Sequence, residues 1–184
     1  QKMIKEVELP LPKEYGIDES KVPMHNWPEF SYKKHRAVSS ELYVDEGIKF
    51  IDRNKDKPFF LNIWFNDVHF RLKPTPDQLK EHFPDLSPTD PFAINWTVIA
   101  EMDKQVGRLL KHIERTGLER NTVIIFASDN GPVDSGAMHK REFIGVGNAG
   151  PFRGRKGSLH EGGIRVPFIV SCPAITPQGI TNKD

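Results

Sequence analysis

Hydrophobic residues along the chain form two patterns: short continuous runs typical of strands, and a longer stretch with the spacing of a helix. The runs 59–65 and 123–126 are aromatic and β-branched, which is typical of strands. Between them, from Asp90–Pro91 to Gly117, apolar residues recur at the spacing of an amphipathic helix. They are Ile99, Met102, Val106, Leu109, Leu110 and Ile113. The strand, helix and strand order predicts a right-handed crossover with both strands parallel in one sheet.

The same pattern predicts the remaining elements. A helix is expected over 39–54, with Ser39 and Ser40 as candidate N-caps, and a helical turn near 77–81. The four residues 123–126 form a continuous apolar run, which predicts a central strand covered on both faces. Residues 168–171 predict a further buried strand.

The pattern also divides the chain by local composition. We expect a loop-rich, proline-containing excursion over 1–38, an α/β core over 39–173 and a short tail over 174–184. The fold class predicted from this order is α/β, with a mainly parallel sheet flanked by helices.

Overall composition narrows the classes of function. Of the 184 residues, 28% are charged and 37% hydrophobic, which is typical of a soluble globular domain. A formal net charge of +1 gives no general reason to expect nucleic acid as a partner. No apolar run approaches the roughly 18 residues that a membrane span needs. The single cysteine, Cys172, excludes an intrachain disulfide.

The run 123–126 stops at Ser128-Asp129-Asn130-Gly131-Pro132. In open α/β sheets, ligands bind beyond the carboxyl ends of the strands. Asp129 offers a carboxylate and Asn130 an amide oxygen, which are hard ligands suited to Ca²⁺ or Mg²⁺. The same residue types also favour a simple strand-ending turn, and these residues by themselves leave both interpretations open.

His69 follows the run 59–65, just as Asp129 follows 123–126. A single histidine at such a place is more often structural than catalytic. If the two strands are parallel, however, their carboxyl ends lie at the same edge of the sheet. The predicted topology therefore places His69 and Asp129 on one side, where a shared site can form.

The segment 151–167 is rich in glycine and carries four cationic residues, Arg153, Arg155, Lys156 and Arg165. Glycines allow the backbone to approach a ligand closely, so an anion is the natural partner. An exposed basic loop with solvated side chains is the alternative. A dinucleotide site at Gly145, Gly147 and Gly150 is rejected because no strand precedes them and Pro151 follows.

Three blocks of sequence, in this order, resemble the sulfatase family of the alkaline-phosphatase superfamily. The first is Lys57-Pro58-Phe59-Phe60-Leu61 leading to Val68-His69-Phe70. The second is Asn121-Thr122-Val123-Ile124-Ile125-Phe126-Ala127-Ser128-Asp129-Asn130-Gly131. The third is Gly154-Arg155-Lys156-Gly157 leading to Glu161-Gly162-Gly163-Ile164-Arg165-Val166-Pro167. The resemblance implies an alkaline-phosphatase-like α/β fold, incomplete at both ends.

The resemblance also implies a set of roles. Asp129 and Asn130 would be ligands of one Ca²⁺, and His69 and Lys156 would contact the sulfate group or the departing ester oxygen. We also expect Arg155, from the same basic segment, to contact the substrate. An asparagine after the aspartate favours calcium, because imidazole at that place suits zinc or manganese. The partner implied is a small-molecule or carbohydrate sulfate ester.

Sulfatases use a formylglycine made within a Cys/Ser-x-Pro-x-Arg motif, and this chain contains no such motif. Cys172 is followed directly by Pro173 and lacks the arginine. We therefore expect an internal piece of a sulfatase catalytic domain, inactive by itself, with its nucleophile and the other metal ligands encoded upstream. The resemblance implies a periplasmic, secreted or lysosomal setting.

Two other functions fit the same residues. One is a non-catalytic module that binds anions or sulfated glycans through Lys156, Arg155 and His69. The other is a phosphatase or phosphodiesterase of the same superfamily. The sequence preceding Gln1 discriminates the first, and a comparison of phosphate with sulfate esters discriminates the second.

Overall fold

A computed structural model describes residues 36–69, 72–133, 146–177 and 179–181 of the chain. All of them belong to one compact unit, Arg36–Asp184. The predicted excursion up to residue 35 and Phe70 of the first sequence block lie outside the described residues. The predicted division into excursion, core and tail therefore stays a prediction.

The described elements are four α-helices, two 3-10 turns and one strand pair. In chain order they are a 3-10 turn (Arg36–Val38), α1 (Ser39–Asn54), α2 (Pro76–His82), α3 (Pro91–Arg115), a 3-10 turn (Glu119–Asn121), β1 (Ile124–Ala127), α4 (Glu161–Ile164) and β2 (Phe168–Ser171). Within these ranges, no helix combines the length and the hydrophobicity needed to traverse a lipid bilayer.

Helix α1 has the predicted bounds, but its predicted caps are wrong. The N-cap residue is Val38, whose side chain makes no capping hydrogen bond. Ser39 and Ser40 are the first two residues of the helix itself, and both are buried. They are not caps because a 3-10 turn at Arg36–Val38 leads directly into the helix.

Helices α2 and α3 begin as their sequences predict. Thr75 and Gln78 form a reciprocal capping box at α2, with Gln78 N donating to Thr75 Oγ1 at 3.1 Å. Asp90 caps α3 by accepting from the backbone N–H groups of Phe92 and Ala93 at 2.8 and 2.9 Å. These signals are local, and the predicted helical turn and long helix are both confirmed.

The buried face of α3 differs from the predicted apolar stripe. Ile113 is buried, but Leu110 is 41% exposed. The buried face instead includes His112, whose Nδ1 accepts from Arg115 at 3.4 Å, so its Nε2 donates to Asp52 of α1 at 2.9 Å. The covered face of α3 therefore includes polar residues, which the apolar spacing did not indicate.

Strands β1 and β2 pair antiparallel, with Ile124 opposite Ser171 and Ala127 opposite Phe168. Both strands were predicted, but their predicted burial is wrong for this chain. Ile125 is 60% exposed and Ile169 59% exposed. Each strand has one strand neighbour among the described residues, and no described layer covers the pair.

The run 59–65 keeps the period-two pattern expected of a strand. Its odd-numbered positions are half-buried, whereas Phe60 and Trp64 are 78% and 79% exposed. The inner side packs on α1, where a Cβ at Gly47 would lie 2.9 Å from Ile63 Cδ1. Among the described residues this run pairs with no other strand, so its parallel alignment with β1 stays a prediction.

Candidate functional site

The turn after β1 carries the two predicted metal ligands. The strand pairing extends one step, with Ser128 N donating to Pro167 O at 3.3 Å. Ser128 Oγ then donates to Asn130 O at 3.0 Å, which closes the turn around Asp129. Asp129 is exposed and Asn130 half-buried. Strand β1 therefore presents both side chains at its carboxyl end, as the sequence predicts.

The Asn130 side chain is oriented by the backbone of the next residue. Its amide nitrogen donates to Gly131 O at 3.0 Å, so the amide oxygen is the atom that remains for a ligand. That oxygen and the Asp129 carboxylate are both hard donors, which fit a Ca²⁺ ion. A chain that used imidazole or thiolate here would fit a softer metal.

Three segments cross immediately after this turn: the residues that follow Asn130, the loop 153–158 and helix α4. Their backbones lie so close together that the contacts leave no room for side chains. We call this contact the glycine crossing. Gly131 N donates to Gly163 O at 2.8 Å. A Cβ on Gly131 would lie 1.9 Å from Gly162 O, far inside any real contact distance. On the other side, a Cβ on Gly163 would lie 2.1 Å from Ser158 O. Gly131, Gly162 and Gly163 of the sequence blocks are therefore required by close backbone approach.

The same crossing holds the segment that carries Lys156. Lys156 N donates to Pro132 O at 2.9 Å, and Gly162 N donates to Arg153 O at 2.8 Å. Lys156 itself is exposed. The backbone thus joins the Asp129–Asn130 turn to the Lys156 segment, although the two are more than 20 residues apart in sequence.

Beside Lys156 lies an open pocket of about 290 Å³. Arg155 forms part of its wall, and its Nη1 donates to Gly147 O at 3.2 Å. Phe152 forms another part, and the Arg165 guanidinium lies 4.7 Å from the centroid of its ring. The pocket therefore combines a cation and an aromatic face next to the Lys156 segment.

His69 ends a turn on a different part of the fold. His69 N donates to Asn66 O at 3.1 Å, and the residue is exposed. One described hydrogen bond joins this turn to α1, from Asn66 Nδ2 to Tyr43 Oη at 3.3 Å. That His69 shares a pocket with Asp129 and Lys156 stays a prediction.

Cys172 is not placed to act as a nucleophile. It is 4% exposed, and its backbone N–H donates to Thr176 Oγ1 at 2.9 Å in a tight turn after β2. A buried, unreactive thiol of this kind packs as a small apolar group. This placement agrees with the sequence, which gives Cys172 no formylglycine motif.

One cluster of metal-type ligands was not singled out from the sequence. One ligand atom each from Glu81, His82 and Glu101 lies within 4.8 Å of the others, where α2 meets α3. Lys104 Nζ already lies 3.3 Å from Glu81 and 3.7 Å from Glu101. The hydrogen bond that Lys104 donates to Glu81 and the charge of Glu101 raise the pKa of Lys104. One ammonium group therefore offsets part of the charge of the two carboxylates where α2 meets α3.

The family model described as Sulfatase matches residues 12–184. The chain belongs to the sulfatase family. Among curated sulfatases, the arylsulfatase of Hemicentrotus pulcherrimus is 31% identical over 150 residues, which are 82% of this chain and 24% of that protein. The N-acetylgalactosamine-6-O-sulfatase of Bacteroides thetaiotaomicron is 30% identical over 138 residues, 73% of this chain and 25% of that protein. The chain thus spans about a quarter of the length of these sulfatases.

A solved structure shares this fold over most of the chain. The crystal structure of Ps i-CgsB in complex with k-i-k-neocarrahexaose matches with a TM-score of 0.61 and 28% identity, over 73% of this chain and 28% of that one. The chain therefore has part of the alkaline-phosphatase-like α/β fold of the sulfatases. The predicted family and general fold class are confirmed.

Proposed function

We propose that this chain forms part of the catalytic domain of an enzyme that hydrolyses sulfate esters. One observation carries the proposal: in a member of the sulfatase family, backbone hydrogen bonds at the glycine crossing tie the Asp129–Asn130 turn to the Lys156 segment. Sulfate ester cleavage needs positive charge and hydrogen-bond donors held at fixed positions around the reacting group. A rigid crossing of glycines supplies such positioning.

Asp129 and Asn130 are proposed as ligands of a single Ca²⁺. When bound, the ion would supply positive charge beside the sulfate oxygens. Two side chains provide only part of the six to eight oxygens that Ca²⁺ takes, so the rest of the shell comes from elsewhere in the protein. The orientation of the Asn130 amide, with its nitrogen on Gly131 O, supports this assignment.

Lys156 and His69 are proposed as catalytic residues. The Lys156 ammonium binds the anionic sulfate group and holds positive charge beside it as the ester bond breaks. The His69 imidazolium donates a proton to the departing ester oxygen, so that the leaving group departs as a neutral alcohol or phenol. A formylglycine nucleophile is expected from a part of the protein outside these 184 residues.

A sulfated carbohydrate is the proposed substrate class. The pocket beside Lys156 has room for about one sugar ring, with Phe152 as an apolar face and Arg155 as a partner for an anionic substituent. The names of two similar proteins agree with this class, since one is an N-acetylgalactosamine-6-O-sulfatase and one was crystallised with a neocarrahexaose.

The experiment measures hydrolysis of aryl sulfates by the full-length protein that contains this chain. We expect turnover that requires Ca²⁺ and is lost with a chelator. We expect Lys156→Ala to lower kcat/KM by about 10²–10³-fold and His69→Ala to lower kcat by about 10²–10⁴-fold. Lys111→Ala, which removes an exposed lysine of α3, is the matched control and should keep full activity.

The same assay separates the alternatives. Faster turnover of aryl phosphates than aryl sulfates would assign the protein to the phosphatases of the superfamily. Binding of sulfated glycans without hydrolysis of either ester would favour the non-catalytic module. Full activity in the Lys156→Ala variant would contradict the proposed site.

A further inference from the structure

Helix α1 starts without a side-chain cap from its own sequence. Val38 occupies the N-cap position and cannot accept a hydrogen bond through its side chain. Backbone N–H groups in the first turn of a helix have no partners within the helix, and the turn carries partial positive charge. A helix start of this kind is stabilised by an acceptor, preferably an anionic one, from another part of the chain.

The Asp67 carboxylate places negative charge at this helix start, where it bonds to the side chain of Ser40. Ser40 Oγ, in the first turn of α1, donates a hydrogen bond to Asp67 Oδ2, and the two residues are 3% and 6% exposed. A buried carboxylate is costly unless it is hydrogen-bonded and compensated by charge. The first turn of α1 offers both, so the bond stabilises the helix start and fixes Asp67 at the same time.

Asp67 lies within the turn that ends at His69. The backbone closes this turn by the bond from His69 N to Asn66 O, at 3.1 Å. A second link to α1 joins Asn66 Nδ2 to Tyr43 Oη at 3.3 Å. Two successive residues of the turn are therefore held by two residues of α1 that lie one helical turn apart.

We propose that Asp67, anchored by Ser40, is a positioning residue that holds the His69 turn in place against the first turn of α1. The inference rests on the proposed role of His69 as the proton donor. It adds that the geometry of His69 depends on a buried polar contact with helix α1, which is not part of the glycine crossing. A proton donor must lie within hydrogen-bond reach of the leaving oxygen, and a displacement of about 1 Å can cost about 10²-fold in rate.

The test uses the dependence of rate on the leaving group. Protonation of the leaving oxygen matters most when the leaving group is basic, so loss of a positioned acid slows phenyl sulfate more than 4-nitrophenyl sulfate. In the full-length enzyme, we expect Asp67→Ala to lower kcat for phenyl sulfate by about 10²-fold and for 4-nitrophenyl sulfate by less than about tenfold. KM should change by less than about threefold, because Asp67 does not touch the substrate.

Two further variants guard against simple misfolding. Asp67→Asn keeps the volume and one acceptor oxygen, and we expect a selective defect of about tenfold in the same direction. His112→Leu is the matched control, because it removes another polar contact of helix α1, the bond to Asp52, far from the His69 turn in sequence. It should lower thermal stability without changing the ratio of the two rates.

The outcomes distinguish the two proposals. Equal losses on both substrates in Asp67→Ala and Asp67→Asn, as in a purely structural defect, would overturn the positioning role. So would normal kinetics in both variants while His69→Ala is strongly and selectively impaired. If His69→Ala itself hydrolyses phenyl sulfate normally, then the proposed catalytic role of His69 is wrong and the positioning role falls with it.

Discussion

Replacement of Gly131 by alanine tests the glycine crossing directly. The added Cβ would lie 1.9 Å from Gly162 O and 2.9 Å from Gly162 C. Ordinary contact begins at 3.4 Å, so the two backbones must separate by roughly 1.5 Å. Both atoms belong to the backbone, and the contact cannot be relieved by rotating a flexible side chain.

The cost follows from the contacts at the crossing. Separation breaks the hydrogen bond from Gly131 N to Gly163 O, which contributes about 1 kcal/mol net. Overpacking of a tight contact adds about 1–3 kcal/mol. We therefore expect Gly131→Ala to lower the free energy of unfolding by about 2–4 kcal/mol. A shift of the Asp129–Asn130 turn relative to Lys156 should also lower kcat/KM by about 10²-fold.

The assay combines urea unfolding with aryl sulfate kinetics on the full-length protein. Gly107→Ala is the matched control, because a Cβ at Gly107 in α3 meets no atom within 4 Å. That substitution should raise stability by about 0.5–1 kcal/mol and leave kinetics unchanged. Wild-type stability and activity in Gly131→Ala would refute the tight crossing and, with it, the rigid link between the two halves of the site.

Three other substitutions test separate parts of the structure. Asp90→Ala removes both capping bonds of α3 and should lower the free energy of unfolding by about 1 kcal/mol, measured by urea titration. Arg155→Ala should raise KM for a sulfated oligosaccharide more than for phenyl sulfate. Equal effects on the two KM values would contradict the proposed contact between Arg155 and the carbohydrate. The raised pKa of Lys104 means that its stabilising effect is present below the ordinary lysine pKa and is lost as pH rises through the raised value. Lys104→Met should therefore have a lower melting temperature than wild type at neutral pH. The two melting temperatures should converge in strongly alkaline buffer.

Local signals predicted three of the four described α-helices, and α4 within the glycine-rich segment was not predicted. Helical spacing over 39–54 indicated α1 with its observed bounds, and Asp90–Pro91 marked the start of α3. What local spacing could not predict is which partner each helix meets. The N-caps expected for α1 were wrong because the 3-10 turn Arg36–Val38 leads directly into the helix, and the Ser40 hydroxyl bonds instead to Asp67, 27 residues along the chain.

The strands show the same limit. The runs that form β1 and β2 were recognised from β-branched residues, but composition does not specify a strand's neighbours or how it is covered. The antiparallel register of Ile124 with Ser171 is a long-range property. The extent of exposure, such as 65% for Phe168, depends on layers that the described residues do not supply.

For the candidate site, the sequence predicted the residue types and the structure describes part of their arrangement. Asp129, Asn130 and Lys156 were singled out from a strand end and a glycine-rich basic segment. Their link through Gly131 and Gly163 depends on backbone hydrogen bonds between distant segments. In the sequence, this link was indicated by the glycines of the blocks. The order of the three blocks made the resemblance to sulfatases specific.

The bare strand pair has a practical consequence for handling this polypeptide. Ile125, Phe168 and Ile169 are each at least 59% exposed, and the outer edges of β1 and β2 have no strand partner among the described residues. Such edges recruit strands from other molecules. Produced by itself, the polypeptide should self-associate and collect in inclusion bodies.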